Sequence, residues 1–247
     1  MSKIDVVLLP SLLAEGQLVG RCVVVFDVLR ATTTMAAALS VGVGEIRLFG
    51  DLASAKSAAA AYDGPRLLVG EERCLPPPGF DMGNSPGAFT ASHAGRTLFM
   101  CTTNGTRALL AGTQAAAVYA AALVNAAAAA RAMAATGCDI TLLCAGTNGQ
   151  PALEDLLGAG AVIDRLLATG RMELESDVAR MALAAWRGSR DDLPAVLRRT
   201  RGGRNIIAAG LEADLDFAAR VDAIDVVGRL IAGASPAIVP ANRAPAR

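Results

Sequence analysis

Val23-Val24-Val25-Phe26-Asp27-Val28-Leu29-Arg30-Ala31-Thr32-Thr33-Thr34-Met35 opens as an unbroken apolar run and then changes character within a few residues. A short apolar run closed by a turn is the pattern of a strand buried on both faces of a parallel sheet. Asp27 and Arg30 place opposite charges where that strand ends, and three threonines lead into the alanine-rich run from Met35 to Leu39. Strand, polar turn and helix start, in that order, bring backbone N–H groups and hydroxyls to a positive helix end, where an anion can sit. Asp27 can hold a cation beside it. The same residues also read as ordinary capping of the following helix.

Outward from this stretch, the same grammar repeats. Ile4 to Leu9 reads as a strand stopped by Pro10, Val23 to Asp27 as the second, with a helix from Thr33 to Ser40. Glu45 to Phe49 is a third strand, and Asp51 caps a helix reaching Tyr62. Arg66 to Val69 leads into a long loop, Gly70-Glu71-Glu72-Arg73-Cys74-Leu75-Pro76-Pro77-Pro78-Gly79-Phe80-Asp81-Met82-Gly83-Asn84-Ser85-Pro86. Three prolines in a row stiffen it, which favours a fixed, functional loop. Thr97 to Cys101, Ala116 to Tyr119 and Asp139 to Cys144 are further strands, with helices to Ala111, from Val124 to Thr136 and from Ala152 to Thr169. Ala223 to Leu230 supplies a last strand, and the Pro/Ala tail from Pro236 reads as frayed. Alternating strands and helices predict a three-layer α/β fold, with a mostly parallel or mixed sheet and helices on both faces. The chain reads as one domain over residues 1–247, with residues 171–220 as a helical sub-region inside it.

Composition narrows the function classes. Lysine plus arginine balance aspartate plus glutamate at 23 each, and no basic stripe interleaved with aromatics appears, which argues against nucleic acid. Apolar residues make up 53% of the chain, yet no uninterrupted span of about 20 suggests a membrane helix. Met1 to Asp5 lacks a signal-peptide layout. Cys22, Cys74, Cys101, Cys138 and Cys144 show no CxxC pairing, so reduced thiols in the cytoplasm are expected rather than disulfides or zinc. The single histidine, His93, has no assigned role. Homo-oligomerisation is left open.

Three constellations carry chemistry. Thr32, Thr33, Asn84, Ser85, Thr103, Asn104, Gly105 and Thr106 form an anion-binding set of hydroxyls, amides and helix-start N–H groups. Helix capping and tight turns explain any one of them equally well, since Asn-Gly is a common hairpin turn. Asp27, Glu71, Glu72, Asp81, Glu154 and Asp155 are hard oxygen donors suited to Mg²⁺. Neighbours on a helix diverge by roughly 100°, so one of Glu154 and Asp155 is expected to face inward, Glu154 ahead of Asp155. Third, Cys101 and Arg107 are spaced Cys-x5-Arg after a strand, the layout of cysteine-dependent phosphatases.

Phe26 to Thr34, Gly79 to Pro86, Thr102 to Arg107, Leu153-Glu154-Asp155 with Gly158-Ala159-Gly160, and Gly203-Arg204-Asn205-Ile206 with Gly210 to Asp214 together resemble the 2-phosphosulfolactate phosphatase family. The match runs in order over nearly the whole chain. The resemblance implies a Mg²⁺-dependent phosphatase releasing phosphate from 2-phosphosulfolactate to give 3-sulfolactate, a step toward coenzyme M. It also implies Asp27 and Glu71 near the metal and the Thr and Asn loops as anion ligands. Two departures stand out: Glu72 occupies a place where that family usually has Arg, with Arg73 next door, and Cys101 one where a hydroxyl is common. No second Asp stands two residues after Asp27, so a haloacid-dehalogenase scheme does not fit. The resulting expectation is a small phosphorylated anion as substrate. Asp27, Arg30 and Glu71 are catalytic, Asp27, Glu71, Glu154 and Asp155 hold the metal, and Arg30, Arg107 and Arg204 neutralise anionic groups. The rivals are a Cys101 thiolate mechanism and an anion sensor that turns nothing over.

Overall fold

The computed structural model describes residues 1–242. The elements are β1 (Ser2–Val7), β2 (Cys22–Phe26), α1 (Ala31–Ser40), β3 (Glu45–Phe49), α2 (Leu52–Ala60), β4 (Arg66–Gly70), β5 (Thr97–Cys101) and α3 (Gly105–Ala111). They continue as β6 (Ala117–Ala121), α4 (Ala126–Ala134), β7 (Ile140–Cys144), α5 (Leu153–Leu167), β8 (Met172–Leu174), α6 (Asp177–Ser189), α7 (Leu193–Arg199), α8 (Arg201–Ala208), α9 (Ala213–Ala218), β9 (Gly228–Ile231) and β10 (Ala237–Pro240). No described helix is long and apolar enough to cross a membrane.

All ten strands form one sheet, in the order β4-β5-β3-β10-β9-β6-β2-β7-β1-β8. β2 pairs with β6 and β7 in parallel along its whole length, and every residue of β2 and β7 is buried. That is what an uninterrupted apolar run at the centre of a parallel sheet requires. The sheet is mixed rather than parallel throughout. β6 to β9, β9 to β10 and β10 to β3 are successive antiparallel pairings, so the β4-β5-β3 group runs opposite to the β6-β2-β7-β1-β8 group.

In a parallel sheet the loops after β2, β5 and β7 would emerge at the same end, but with β5 running opposite to β2 a flat sheet would put the loop after β5 at the other end. Core packing brings them together. Val23 and Val25 of β2, Ile46 and Leu48 of β3, Leu98 and Met100 of β5, and Ile238 of β10 share one cluster with Ala31, Met35 and Leu39 of α1 and Leu109 of α3. One face of the coiled sheet thus closes round α1 and α3, which explains why α1 is buried from Ala31 to Leu39 without a polar stripe. Alternate residues face the other layer. Val24 and Phe26 pack with Leu157, Val162 and Ile163 of α5, while Phe99 and Cys101 of β5 pack with Ala55 and Ala59 of α2.

Two expectations are corrected. The tail is not frayed from Pro236: Ala237–Pro240 fills the gap between β3 and β9, and the remaining terminal residues, 243–247, lie outside the described part. The helical region also contains β8, which extends the sheet beyond β1.

Candidate active site

A cleft of about 660 Å³ opens where the loops after β2, β4, β5 and β7 meet one side of α8, from Gly202 to Ala209. Its walls include Asp27, Arg30, Glu71, Asn84, Thr103 and Asn104 of the residues singled out by sequence, with Thr147 and Asn148 from the loop after β7. Segments far apart in the chain therefore converge. The approach is close: a Cβ on Gly105 would lie 2.7 Å from Asp27 Oδ2 and 2.5 Å from the Ala31 Cβ, so only glycine lets α3 start against Asp27.

The loop after β2 holds itself by local bonds. Asp27 donates its N–H to Thr32 Oγ1 (3.1 Å) and accepts at Oδ1 from the Ala31 N–H (3.3 Å). The Thr33 hydroxyl donates to the Val28 carbonyl (2.7 Å). Thr32 and Thr33 are fully buried and shape the turn instead of reaching the cleft. Thr106 behaves likewise, its hydroxyl donating to the Thr102 carbonyl at 2.8 Å. Ser85 and Gly105 lie behind the wall, and Arg107 is exposed away from it.

Arg30 is buried and heavily bonded. Its Nη1 donates to Asp214 (2.6 Å) and to the Ser85 hydroxyl (3.0 Å), which in turn donates to Asp214 (2.9 Å), and its Nη2 donates to the Cys74 carbonyl. Three of five guanidinium N–H groups are used, which leaves two. Asp214, on α9, had no role in the sequence reading beyond the family resemblance. Its only local signal is a carboxylate in the first turn of a short helix, which electrostatics with the helix dipole would explain.

The four carboxylates expected at a metal differ in what they have free. Asp155 accepts the Val28 N–H (2.8 Å) on one oxygen and the Gly146 N–H (2.9 Å) on the other, tying β2 to β7. Glu71 accepts the N–H and hydroxyl of Thr103 (2.8 and 2.6 Å) on Oε1 and the Cys74 N–H (3.1 Å) on Oε2, tying the loop after β4 to the loop after β5. Glu154 has a buried oxygen, Oε2, without a partner, and so does Asn84 at Oδ1. Asp27 faces the cleft. Both Glu154 and Asp155 point inward, against the expectation of one: Gly202 covers Glu154, where a Cβ would come within 2.0 Å of Oε1, while Val28 and Gly146 cover Asp155. Asp81, by contrast, accepts the Leu68 N–H (2.7 Å) beside β4 and stays outside the cleft.

These burials have an electrostatic cost. Asp27 is pushed up to about 7, first by burial and then by the neighbouring Glu71 and Glu154 carboxylates, with the Ala31 N–H and Arg30 pulling down. Burial also raises Glu154 and Asp155. Among the described residues no three acidic, histidine or cysteine side chains close into a ready metal cage. Asp27 and Glu154 nevertheless fit an ion that takes one or two carboxylates and keeps its waters. The orphaned Glu154 and Asn84 oxygens are acceptors, whose complement is a cation or a donor.

Cys101 lies on the α2 side of β5, outside the cleft wall, and burial pushes its thiol up to about 11, with Asp51 and Glu71 adding to the shift. A thiolate nucleophile needs the opposite shift.

Residues 7–233 match the family model described as 2-phosphosulpholactate phosphatase. Relatives named probable 2-phosphosulfolactate phosphatase include one from Deinococcus radiodurans, 40% identical over 225 residues, covering 90% of this chain and 89% of the relative. One from Thermus thermophilus is 43% identical over 202 residues, covering 81% and 83%. One from Synechococcus sp. (strain JA-3-3Ab) is 39% identical over 211 residues, covering 83% and 87%. The chain belongs to the 2-phosphosulfolactate phosphatase family, and with it to the phosphoric monoester hydrolases.

Proposed function

We propose that this chain hydrolyses the phosphomonoester of 2-phosphosulfolactate, giving 3-sulfolactate and phosphate, with Mg²⁺ held at Asp27 and Glu154. The observation that carries the metal is the charge of the wall. Its carboxylates Asp27, Glu71 and Glu72 outnumber its guanidiniums, Arg30 and Arg73, and Asp214 already neutralises Arg30. A substrate bearing phosphate, carboxylate and sulfonate would be repelled from such a cleft without a divalent cation. The same cation would relieve the crowding that lifts Asp27.

The bound ion supplies Lewis-acid polarisation of a phosphoryl oxygen and a water of lowered pKa. Asp27 sets where the phosphoryl group lies. The two unused N–H groups of Arg30 donate to its equatorial oxygens as charge spreads in the in-line transfer. Asn104, which lines the same wall, adds a polar donor, while both donors of Thr103 are already given to Glu71. Water ends on phosphorus, the P–O bond to the 2-hydroxy carbon breaks, and that oxygen takes a proton. Glu71 acts by fixing two loops, a positioning role that replaces the ligand role expected of it.

Phosphate release from 2-phosphosulfolactate is the test. Turnover with Mg²⁺ that EDTA abolishes and iodoacetamide spares supports this reading. Turnover that survives EDTA and dies with iodoacetamide returns the mechanism to a thiol. Binding without phosphate release makes the protein a sensor.

A further inference from the structure

Two turns with the same backbone flank the cleft. Glu72 and Leu75 exchange both backbone bonds (2.9 and 3.2 Å), and the residues between them, Arg73 and Cys74, have φ of 52° and 71°. Thr147 and Gln150 do the same (2.9 and 3.1 Å) around Asn148 and Gly149, at 53° and 71°. Reciprocal bonds and two left-handed residues are the marks of a type I′ turn, for which Asn-Gly is the favoured pair. Arg-Cys is a poor one, since each left-handed side-chain-bearing residue costs about 1 kcal/mol or more. Such an outlier persists where its surroundings over-determine it, and it often marks function. Here the surroundings are plain: the Cys74 N–H is held by Glu71 and its carbonyl by Arg30.

Arg73 is therefore presented on a rigid tip at the cleft wall. It is exposed, and among the described residues its side chain has no hydrogen-bond or ion-pair partner. The other wall guanidinium, Arg30, is buried and paired with Asp214. Arg107 is exposed outside the wall, and Arg204 lies outside it too, donating to the Arg199 carbonyl.

We propose that Arg73 is a specificity-determining residue that binds the sulfonate of the substrate. This rests on the phosphatase reading and names which group goes where. The phosphoryl group must reach the floor at Asp27 and Arg30. The carboxylate is attached directly to the carbon bearing the phosphoester, whereas the sulfonate stands one carbon further away. The longer reach therefore belongs to the exposed rim, and a guanidinium fork matches a three-oxygen anion by paired N–H donors.

The experiment compares kcat/KM for 2-phosphosulfolactate and 2-phospholactate, which lacks only the sulfonate, in wild type, Arg73→Gln and Arg73→Gly. The glycine variant removes the cation while relieving the left-handed backbone, so misfolding cannot mimic the result. The wild-type preference for the sulfonated substrate is expected to collapse at least tenfold in both variants, chiefly through KM. Equal losses on both substrates, or no change in the ratio, overturns the proposal. If wild type hydrolyses neither, the phosphatase reading has failed separately. Calorimetric binding of 3-sulfolactate against lactate then decides: the proposal survives if Arg73→Gly weakens only the sulfonate, and falls if both bind alike.

Discussion

Asp27 lines the floor of the cleft, and the buried carboxylates Glu154 and Asp155 act on it electrostatically from behind; burial lifts each of the three toward its neutral form. At the rim the turns Glu72–Leu75 and Thr147–Gln150 are tightly bonded through backbone and carry partly or fully exposed side chains. The floor thus stores electrostatic tension in side chains, while one rim turn stores conformational tension in its backbone. Tension of the first kind prepares a site for charge that arrives with substrate and ion. The second kind fixes where one side chain points. Floor changes should therefore alter the rate of reaction, and rim changes the choice of substrate.

The largest effect expected is that of Asp27→Asn, which should lower kcat by about 10³-fold or more while the circular dichroism spectrum is unchanged. Activity near that of wild type would remove Asp27 from the floor's chemistry. Next comes Asp214→Ala. It strands Arg30 as an unpaired buried charge, a change that typically costs about 3–5 kcal/mol, and it should lower both the urea midpoint and kcat/KM. Unaltered stability would mean that Arg30 swings free of its pocket.

Asp27→Asn should also act on stability, in the opposite direction. The folded-state value of about 7 lies above the ordinary 3.8, so folding takes up protons between those values. The contribution of Asp27 to stability is complete below about pH 4 and is lost as pH rises through 7. Removing the ionisable oxygen should then raise the melting temperature in EDTA at pH 8, with a gain of about 1–3 kcal/mol, and change it much less at pH 5. A gain independent of pH would show that Asp27 is not under the stated pressure.

Much of this was legible in the sequence, and the losses have definite causes. β3 and β5 stand where local patterning put them, Glu45–Phe49 and Thr97–Cys101, because each is an apolar run bounded by turn residues. β10 escaped because Pro236 and Pro240 mark a tail locally, and only the vacant edges of β3 and β9 make Ala237–Pro240 a strand. Thr-Asn-Gly occurs twice and means two things: Asn104-Gly105 enters α3, whereas Asn148-Gly149 makes a hairpin tip. The residues C-terminal to each glycine decide between them, since Thr106-Arg107-Ala108 continues as helix and Gln150-Pro151 cannot. The Arg30–Asp214 pair joins residues 184 apart in sequence, a separation no local window spans.

The finest test concerns the two rim turns alone, because their φ values agree to within about a degree and only their residues differ. Nothing lies within 4 Å of a Cβ built on Gly149, so Gly149→Ala meets no clash and its whole cost is the left-handed backbone. A loss of about 1 kcal/mol in urea unfolding is expected. Cys74→Gly makes the converse change at the same position of the other turn. It relieves the left-handed cost but gives the unfolded chain more freedom, so the net gain should be smaller, about 0.5 kcal/mol. Both bonds that clamp Cys74 come from its backbone and survive the substitution. Opposite signs at equivalent positions would establish that Glu72–Leu75 is held against its own preference by Glu71 and Arg30. Equal signs would mean that the strain is absent, and Arg73 would then lose its structural reason for standing over the cleft.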